Sequence, residues 1–258
     1  MQADTVRTAV RKTYGDIATR AATGGCCGSG SSCCGPAATA DLGYSQAERG
    51  SAPEGADLGL GCGNPQAIAA LRPGERVLDL GSGAGFDAFL AARQVGPTGR
   101  VIGVDMTPEM IARARANAGK AELAHVEFRL GEIERLPVPD ASVDVVMSNC
   151  VINLSPDKPA VFREAFRVLA PGGRLAIADI IALAPLPDSI AGDVTAYTGC
   201  VAGAGLAADI ERMMADAGFE QIRLRITDES RALVSSWPSG ATAADYVASA
   251  LIEAVKPA

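Results

Sequence analysis

The sequence predicts a doubly wound α/β fold on a mostly parallel sheet. From residue 76 onward, short apolar runs alternate with stretches of helical periodicity. The runs are apolar on both faces, as strands buried between two helix layers are. The first run ends in a glycine-rich turn that opens a helix.

Taken in order, residues 4–20 read as a helix: Asp4 can cap it, and Val6, Val10, Tyr14 and Ile17 recur at three- and four-residue spacing. Residues 23–36, TGGCCGSGSSCCGP, are almost entirely Gly, Ser and Cys and read as a loop. Asn64 and Pro65 suit the N-cap and first turn of a short helix ending at Leu71. Strands are expected at 76–80, 100–104, 126–130, 143–147 and 174–180, with helices at 86–94, 108–118 and 158–169. Thr107 is expected to cap the helix that begins at Pro108. An irregular, partly helical insertion follows, then a helix over 206–217 stopped by Gly218. Residues 219–226 and 247–256 read as an antiparallel edge pair, which makes seven strands. There is no internal repeat. Three stretches are expected: 1–75 with the Cys-rich loop over the site, 76–182 as the core, and 183–258 as insertion and sheet edge.

Composition narrows the function. The chain has 258 residues, 48% apolar and 21% charged, too apolar and too weakly charged for disorder. With 23 Lys+Arg against 30 Asp+Glu, its net charge of −7 offers no general attraction to nucleic acid. One histidine, His125, excludes multi-histidine metal chemistry within one chain. The N-terminal residues lack the apolar core of a signal peptide. No run approaches the ~18 apolar residues of a membrane span, and the richest, 175–186, is broken by Asp179 and Pro185. A cytoplasmic protein without membrane partners is therefore expected; the oligomeric state is not fixed by the sequence, and a monomer is the working expectation. Thiols there stay reduced, and an odd count of seven cysteines argues against a fully paired disulfide framework.

The turn after the first strand reads Asp79-Leu80-Gly81-Ser82-Gly83-Ala84-Gly85. This is GxGxG, not the dinucleotide fingerprint GxGxxG, and no P-loop lysine follows. The next strand is followed by Asp105, 20 residues beyond Gly85, where a carboxylate can accept both hydroxyls of a ribose. Glu132 follows the third strand, and Asn149 and Cys150 follow the fourth. Carboxyl ends of strands converge on one crevice in such sheets. These residues, with the Leu169-Ala170-Pro171-Gly172-Gly173 turn, resemble the class I S-adenosylmethionine-dependent methyltransferases over about residues 60–182. The resemblance implies a Rossmann-like seven-stranded sheet and S-adenosylmethionine as cofactor. It places Gly81, Ser82 and Gly83 at the methionine part, Asp79 near the amino group, Asp105 at the ribose hydroxyls and Glu132 and Ile133 at the adenine edge, with Met106 and Asn149 also among the cofactor-binding residues.

The fold alone does not name the methyl acceptor. Free cysteines are often only small buried hydrophobes. Here nearly all lie beside Gly, Ser or Asn in loops: Cys26, Cys27, Cys33 and Cys34, then Cys62, Cys150 and Cys200. Thiolates beside a sulfonium could accept the methyl themselves or bind a soft, thiophilic centre. Asp41-Leu42-Gly43-Tyr44-Ser45, residues 53–65 around Cys62, Ser148-Asn149-Cys150-Val151-Ile152-Asn153-Leu154 and the Gly-Cys pair at Cys200 resemble the arsenite methyltransferases over nearly the whole chain. By that resemblance Cys150 and Cys200 bind the arsenical throughout, and Cys62 is a third ligand for inorganic arsenite. A further N-terminal cysteine would pair with Cys62 during turnover; Cys34 is the candidate, with Cys26, Cys27 and Cys33 open alongside it. External thiols, glutathione or thioredoxin, would complete the cycle. Methylation of another small acceptor and a non-catalytic metalloid sensor are the alternatives. His125 is expected at the surface, Trp237 and Pro238 in packing, and Arg113, Arg115 and Lys120 on a solvated helix face. Asp87 suits either the glycine turn or a helix cap.

Overall fold

The computed structural model describes residues 2–22, 39–227, 230–235 and 243–258. Cys26, Cys27, Cys33, Cys34, Trp237 and Pro238 lie outside them. Helix α1 (Ala3–Ala22) is followed by two short helices, α2 (Gln46–Ser51) and α3 (Gln66–Ala69). The core then runs β1 (Arg76–Leu80), α4 (Phe86–Val95), β2 (Arg100–Asp105), α5 (Pro108–Ala121), β3 (Val126–Leu130), β4 (Val143–Asn149), a 3-10 turn (Ile152–Leu154), α6 (Lys158–Val168) and β5 (Leu169–Ala182). It ends with α7 (Asp188–Ala191), α8 (Val194–Thr198), α9 (Ala207–Ala217), β6 (Glu220–Ile226), α10 (Ser230–Ser235) and β7 (Val247–Val255).

The seven strands order as β3-β2-β1-β4-β5-β7-β6. β1 to β5 are parallel, and β7 runs antiparallel to both β5 and β6. Side chains alternate across the sheet. Leu78, Leu80, Val146 and Ile177 pack under α6 and α9 on one face, while Val77, Val145, Met147 and Ala176 meet α4 and α5 on the other. The chain leaves β1 toward β2 on one side, whereas β4 lies on the other. That reversal opens a crevice at the carboxyl ends of β1 and β4, the place where such sheets bind ligands. Among the described residues no helix is long and apolar enough to cross a membrane.

Several local expectations differ from the structure. β5 begins at Leu169, five residues early, because Leu169 already pairs with Val143 and the Ala170–Gly173 turn is absorbed as a register shift. Gly172, at φ +75°, makes that bulge possible, and Lys256 Nζ donates to the Phe166 and Leu169 carbonyls left open at the end of α6. α3 stops at Ala69 because Ala70 turns left-handed. Thr107 occupies the cap position of α5 without a side-chain cap bond; its N–H donates to Asp105 instead. Arg113 and Arg115 are not merely solvated: Arg113 donates to the Gly55 and Ala18 carbonyls, and Arg115 to that of Phe128. His125 is half-buried, with Nε2 3.1 Å from the Ala92 carbonyl.

Candidate active site

A cleft of about 1090 Å³ opens at the β1/β4 crevice. Its floor is the turn after β1. Gly81 and Gly83 hold φ of +65° and +51°, the left-handed region that side chains resist. A Cβ on Gly81 would also stand 2.3 Å from Val151 Cγ2, so the backbone approaches the cleft bare. Asp105, at the end of β2, accepts from Gly83 N–H at 3.0 Å and Thr107 N–H at 2.8 Å. Burial pushes its pKa up, against the pull of those bonds. Each oxygen keeps a lone pair for a further donor.

Asp79 is 2% exposed, and its Oδ2 has no hydrogen-bond partner; neither has buried Ser82 Oγ. Burial, then Asp87 and Asp105, hold the Asp79 carboxyl well above the usual range. Orphaned buried polar atoms on a cavity wall are a costly arrangement unless a ligand meets them. The cleft therefore asks for a molecule with a cationic donor near Asp79 and hydroxyls near Asp105. Met106, Ile133 and Asn149 also line it. Glu132 does not: its carboxylate is paired with Arg11 and Arg7 of α1, and Glu134 is the acid on the wall. Arg7 also reaches Glu134 at 3.3 Å, so these pairs clasp α1 over the cleft.

Beside the cleft lie three thiols. Cys62, 1% exposed, donates its backbone N–H to Asn149 Oδ1 at 3.1 Å. Cys150, directly after β4, lines the cleft. Cys200 follows α8, and its Sγ donates to the Cys150 carbonyl at 2.9 Å. Cys150 and Cys200 have φ of +57° and +63°. Non-glycine residues there cost about 1–2 kcal/mol each and mark positions that the surroundings over-determine. Those surroundings centre on Asp179 of β5. It accepts from Ile152 N–H and Asn153 Nδ2, both at 2.9 Å, and Asn153 also reaches the Cys200 carbonyl at 3.4 Å.

The Cys62 and Cys150 sulfurs and an Asp179 oxygen lie within 4.8 Å of one another. Cys200 is outside that group, its sulfur turned onto the Cys150 carbonyl, with the Tyr14 hydroxyl of α1 and Cys150 as its other side-chain partners. Burial pushes the Cys62 thiol up to about 12 and the Cys150 thiol well above its ordinary value. The hydrogen bond with Cys150, and then burial, do the same to Cys200. All three are thus protonated at neutral pH. Cys34 lies outside the described residues. Tyr14, Tyr44 and Asp179 were not singled out as site residues in the sequence. Each left a signal there: Tyr14 in the periodicity of the first helix, Tyr44 in the Asp41–Ser45 motif, and Asp179 as an acid inside an apolar run.

A family model described as a methyltransferase domain matches residues 71–218. The chain belongs to the methyltransferase-domain family. Similar to this methyltransferase is the arsenite methyltransferase of Halobacterium salinarum, 54% identical over 235 residues, or 91% of this chain and 59% of that protein. The arsenite methyltransferase of Aquipseudomonas alcaligenes is 46% identical over 64% of this chain and 49% of its own. The chain thus spans about half to three fifths of these relatives' lengths. Among solved structures, an arsenic(III) S-adenosylmethionine methyltransferase from Chlamydomonas reinhardtii superposes with a TM-score of 0.63 at 35% identity, covering 86% of this methyltransferase and 73% of that chain.

Proposed function

We propose that this methyltransferase transfers a methyl group from S-adenosylmethionine to trivalent arsenic held by Cys62, Cys150 and Cys200. The observation that carries the reading is the position of the thiols: Cys62 and Cys150 sulfurs lie within 4.8 Å, and Cys150 stands on the wall of the donor cleft. Names of the relatives support the same acceptor. Bound in the cleft, S-adenosylmethionine supplies an electrophilic methyl group to the arsenic lone pair. The orphaned Asp79 and Ser82 atoms, Asp105 and the bare glycine turn fit its ammonium, ribose and methionine parts. The backbone beside Ile133 fits its adenine.

The protein's task is positioning and ligand exchange. Each buried S–H meets one As–OH; an As–S bond forms and water leaves, carrying the thiol proton. Cys200 joins by turning its sulfur off the Cys150 carbonyl. Thiol ligation strips the acceptor of water and aims its lone pair at the cleft. Giving its lone pair to the methyl group takes arsenic formally from the trivalent to the pentavalent state, with S-adenosylhomocysteine leaving; the two electrons that restore it come from thiols, Cys62 with its proposed partner Cys34 or external glutathione or thioredoxin, which end as a disulfide. We place the enzyme in the cytoplasm as a monomer; its net charge of −7 favours small-molecule over nucleic-acid partners.

The test is methyl transfer from labelled donor to arsenite and to methylarsenite with a thiol present. Wild-type protein methylates both. Cys62→Ser loses the first reaction by at least about tenfold and keeps the second, since methylarsenite needs only two sulfurs. Equal loss of both reactions would remove Cys62 from the ligand set. Arsenite bound without any methyl transfer would make the chain a sensor.

The raised thiols give a second expectation. Exchange of neutral S–H for neutral As–OH moves no net proton. Between about pH 7 and pH 8, above the value of about 6 to which burial pushes Asp179, arsenite affinity should stay within about twofold. A divalent metal ion on the same sulfurs would expel protons and bind more tightly as pH rises. Titration calorimetry in two buffers of different ionisation heat separates the cases. A buffer-dependent heat with arsenite would contradict neutral exchange.

A further inference from the structure

Asn149 ends β4 between the donor cleft and Cys62, and both ends of its amide are committed. Oδ1 accepts the Cys62 N–H at 3.1 Å. Nδ2 lies 3.0 Å from the Gly63 carbonyl, 3.0 Å from the Tyr44 hydroxyl and 3.1 Å from Asp87 Oδ2, sharing its two hydrogens among them. The Tyr44 hydroxyl donates in turn to Asp87 Oδ1 at 2.7 Å. Asp87 is buried and borders the cleft, as Tyr44 does. A continuous set of hydrogen bonds therefore runs from the cleft wall to the backbone of Cys62.

The segment it holds is closely packed. A Cβ on Gly61 would fall 2.9 Å from Asn149 Nδ2, and one on Gly63 would fall 2.8 Å from Ala178 Cβ. Side chains in place of either hydrogen would push the loop off the amide. The other two thiols have other backbone supports: the Cys150 N–H donates to the Ala178 carbonyl, and the Cys200 carbonyl accepts from Asn153, itself held on Asp179.

We infer that Asn149 is a positioning residue for Cys62: from the wall of the donor cleft it sets the third sulfur–arsenic bond, while Cys150 is held by its N–H bond to the Ala178 carbonyl and Cys200 by Asn153 on Asp179. This deepens the proposed arsenic chemistry and rests on it. Asn149 would thereby decide whether the site takes an acceptor with three exchangeable ligands as readily as one with two. Arsenite has three hydroxyls to exchange, and an arsenical with one carbon substituent has two.

Two probes read the difference by equilibrium dialysis on the full chain: arsenite and phenylarsine oxide. In Asn149→Ala, arsenite affinity should fall at least about tenfold while phenylarsine oxide affinity shifts less than about threefold. A merely structural role would lower both together, and that result overturns the assignment; so does an unchanged arsenite affinity. Tyr44→Phe removes one of the three acceptors of Asn149 Nδ2 and the donor to Asp87 Oδ1, but leaves the bond to Cys62. It should weaken arsenite about threefold with phenylarsine oxide unchanged. If Asn149→Ala does not fold, this variant decides: identical shifts for the two probes refute the positioning role. Wild-type protein that binds neither probe overturns the arsenic reading itself, a failure distinct from loss of selectivity in the variants.

Discussion

Cys150→Ser is expected to lower methylation of both arsenite and methylarsenite at least about a hundredfold. The substitution keeps shape and removes softness: a serine hydroxyl is a hard, weakly acidic donor that trivalent arsenic exchanges for water rather than prefers. Position amplifies the loss. Cys150 is the thiol on the cleft wall, and it neighbours both Cys62 and Cys200. Its loss leaves two sulfurs with no common neighbour toward the methyl donor. A thermal melt should move little, because the left-handed backbone, the N–H bond to the Ala178 carbonyl and the packing are retained. Steady-state rates with each arsenical, alongside that melt, check the expectation. Activity within tenfold of wild type for either acceptor would exclude Cys150 as a ligand.

Asp105→Ala is expected to weaken the donor about thirty- to a hundredfold, the effect of losing a charge-assisted acceptor worth about 2–3 kcal/mol. The carboxylate does two things at once. It ties the Gly83 and Thr107 N–H groups together, and it offers its remaining lone pairs to the cleft. Asp105→Asn separates these: one amide oxygen can still hold Gly83 N–H, so the turn persists while the charge is lost. Calorimetric titration with S-adenosylhomocysteine should show Asn between Ala and wild type. Donor affinity that is the same in all three proteins would refute a ribose contact at Asp105.

The sequence was most readable where local pattern and tertiary packing agree. β1 to β4 and the helices between them follow from alternating apolar runs, since strands covered on both faces leave the same signature wherever they sit. The glycine turn and Asp105 were readable because their backbone and spacing requirements are local. Contacts that bridge distant segments were not. The pattern of Val6, Val10 and Tyr14 announces a buried face on α1 but not that the thiol cluster is what it covers. Arg113 reads as a solvated helix residue because carbonyl acceptors at Gly55 and Ala18, far along the chain, carry no sequence mark. Asn149 sits in a recognisable motif, yet its bond to Cys62 joins residues 87 positions apart. β6 and β7 were legible as an antiparallel pair, while the insertion of β7 between β5 and β6 was not, because strand order is decided by packing rather than periodicity.

That insertion bears on how the protein comes to be made. β6 has β7 as its sheet neighbour and cannot join the sheet before β7 arrives. β7 also carries Ser249, whose hydroxyl donates to the Cys62 carbonyl 187 residues away. On a ribosome the glycine turn, β2 and β4 emerge and can assemble while residues 247–255 are still to be made. The β1/β4 crevice is thus an early product of synthesis, and the Cys62 segment waits for β7. Such long-range closure is slow relative to local structure. Cys62 gains the support of Ser249 only when β7 is in place, which shortens the time in which a half-built cluster presents Cys62 and Cys150 together to an oxidant or to a stray metal ion.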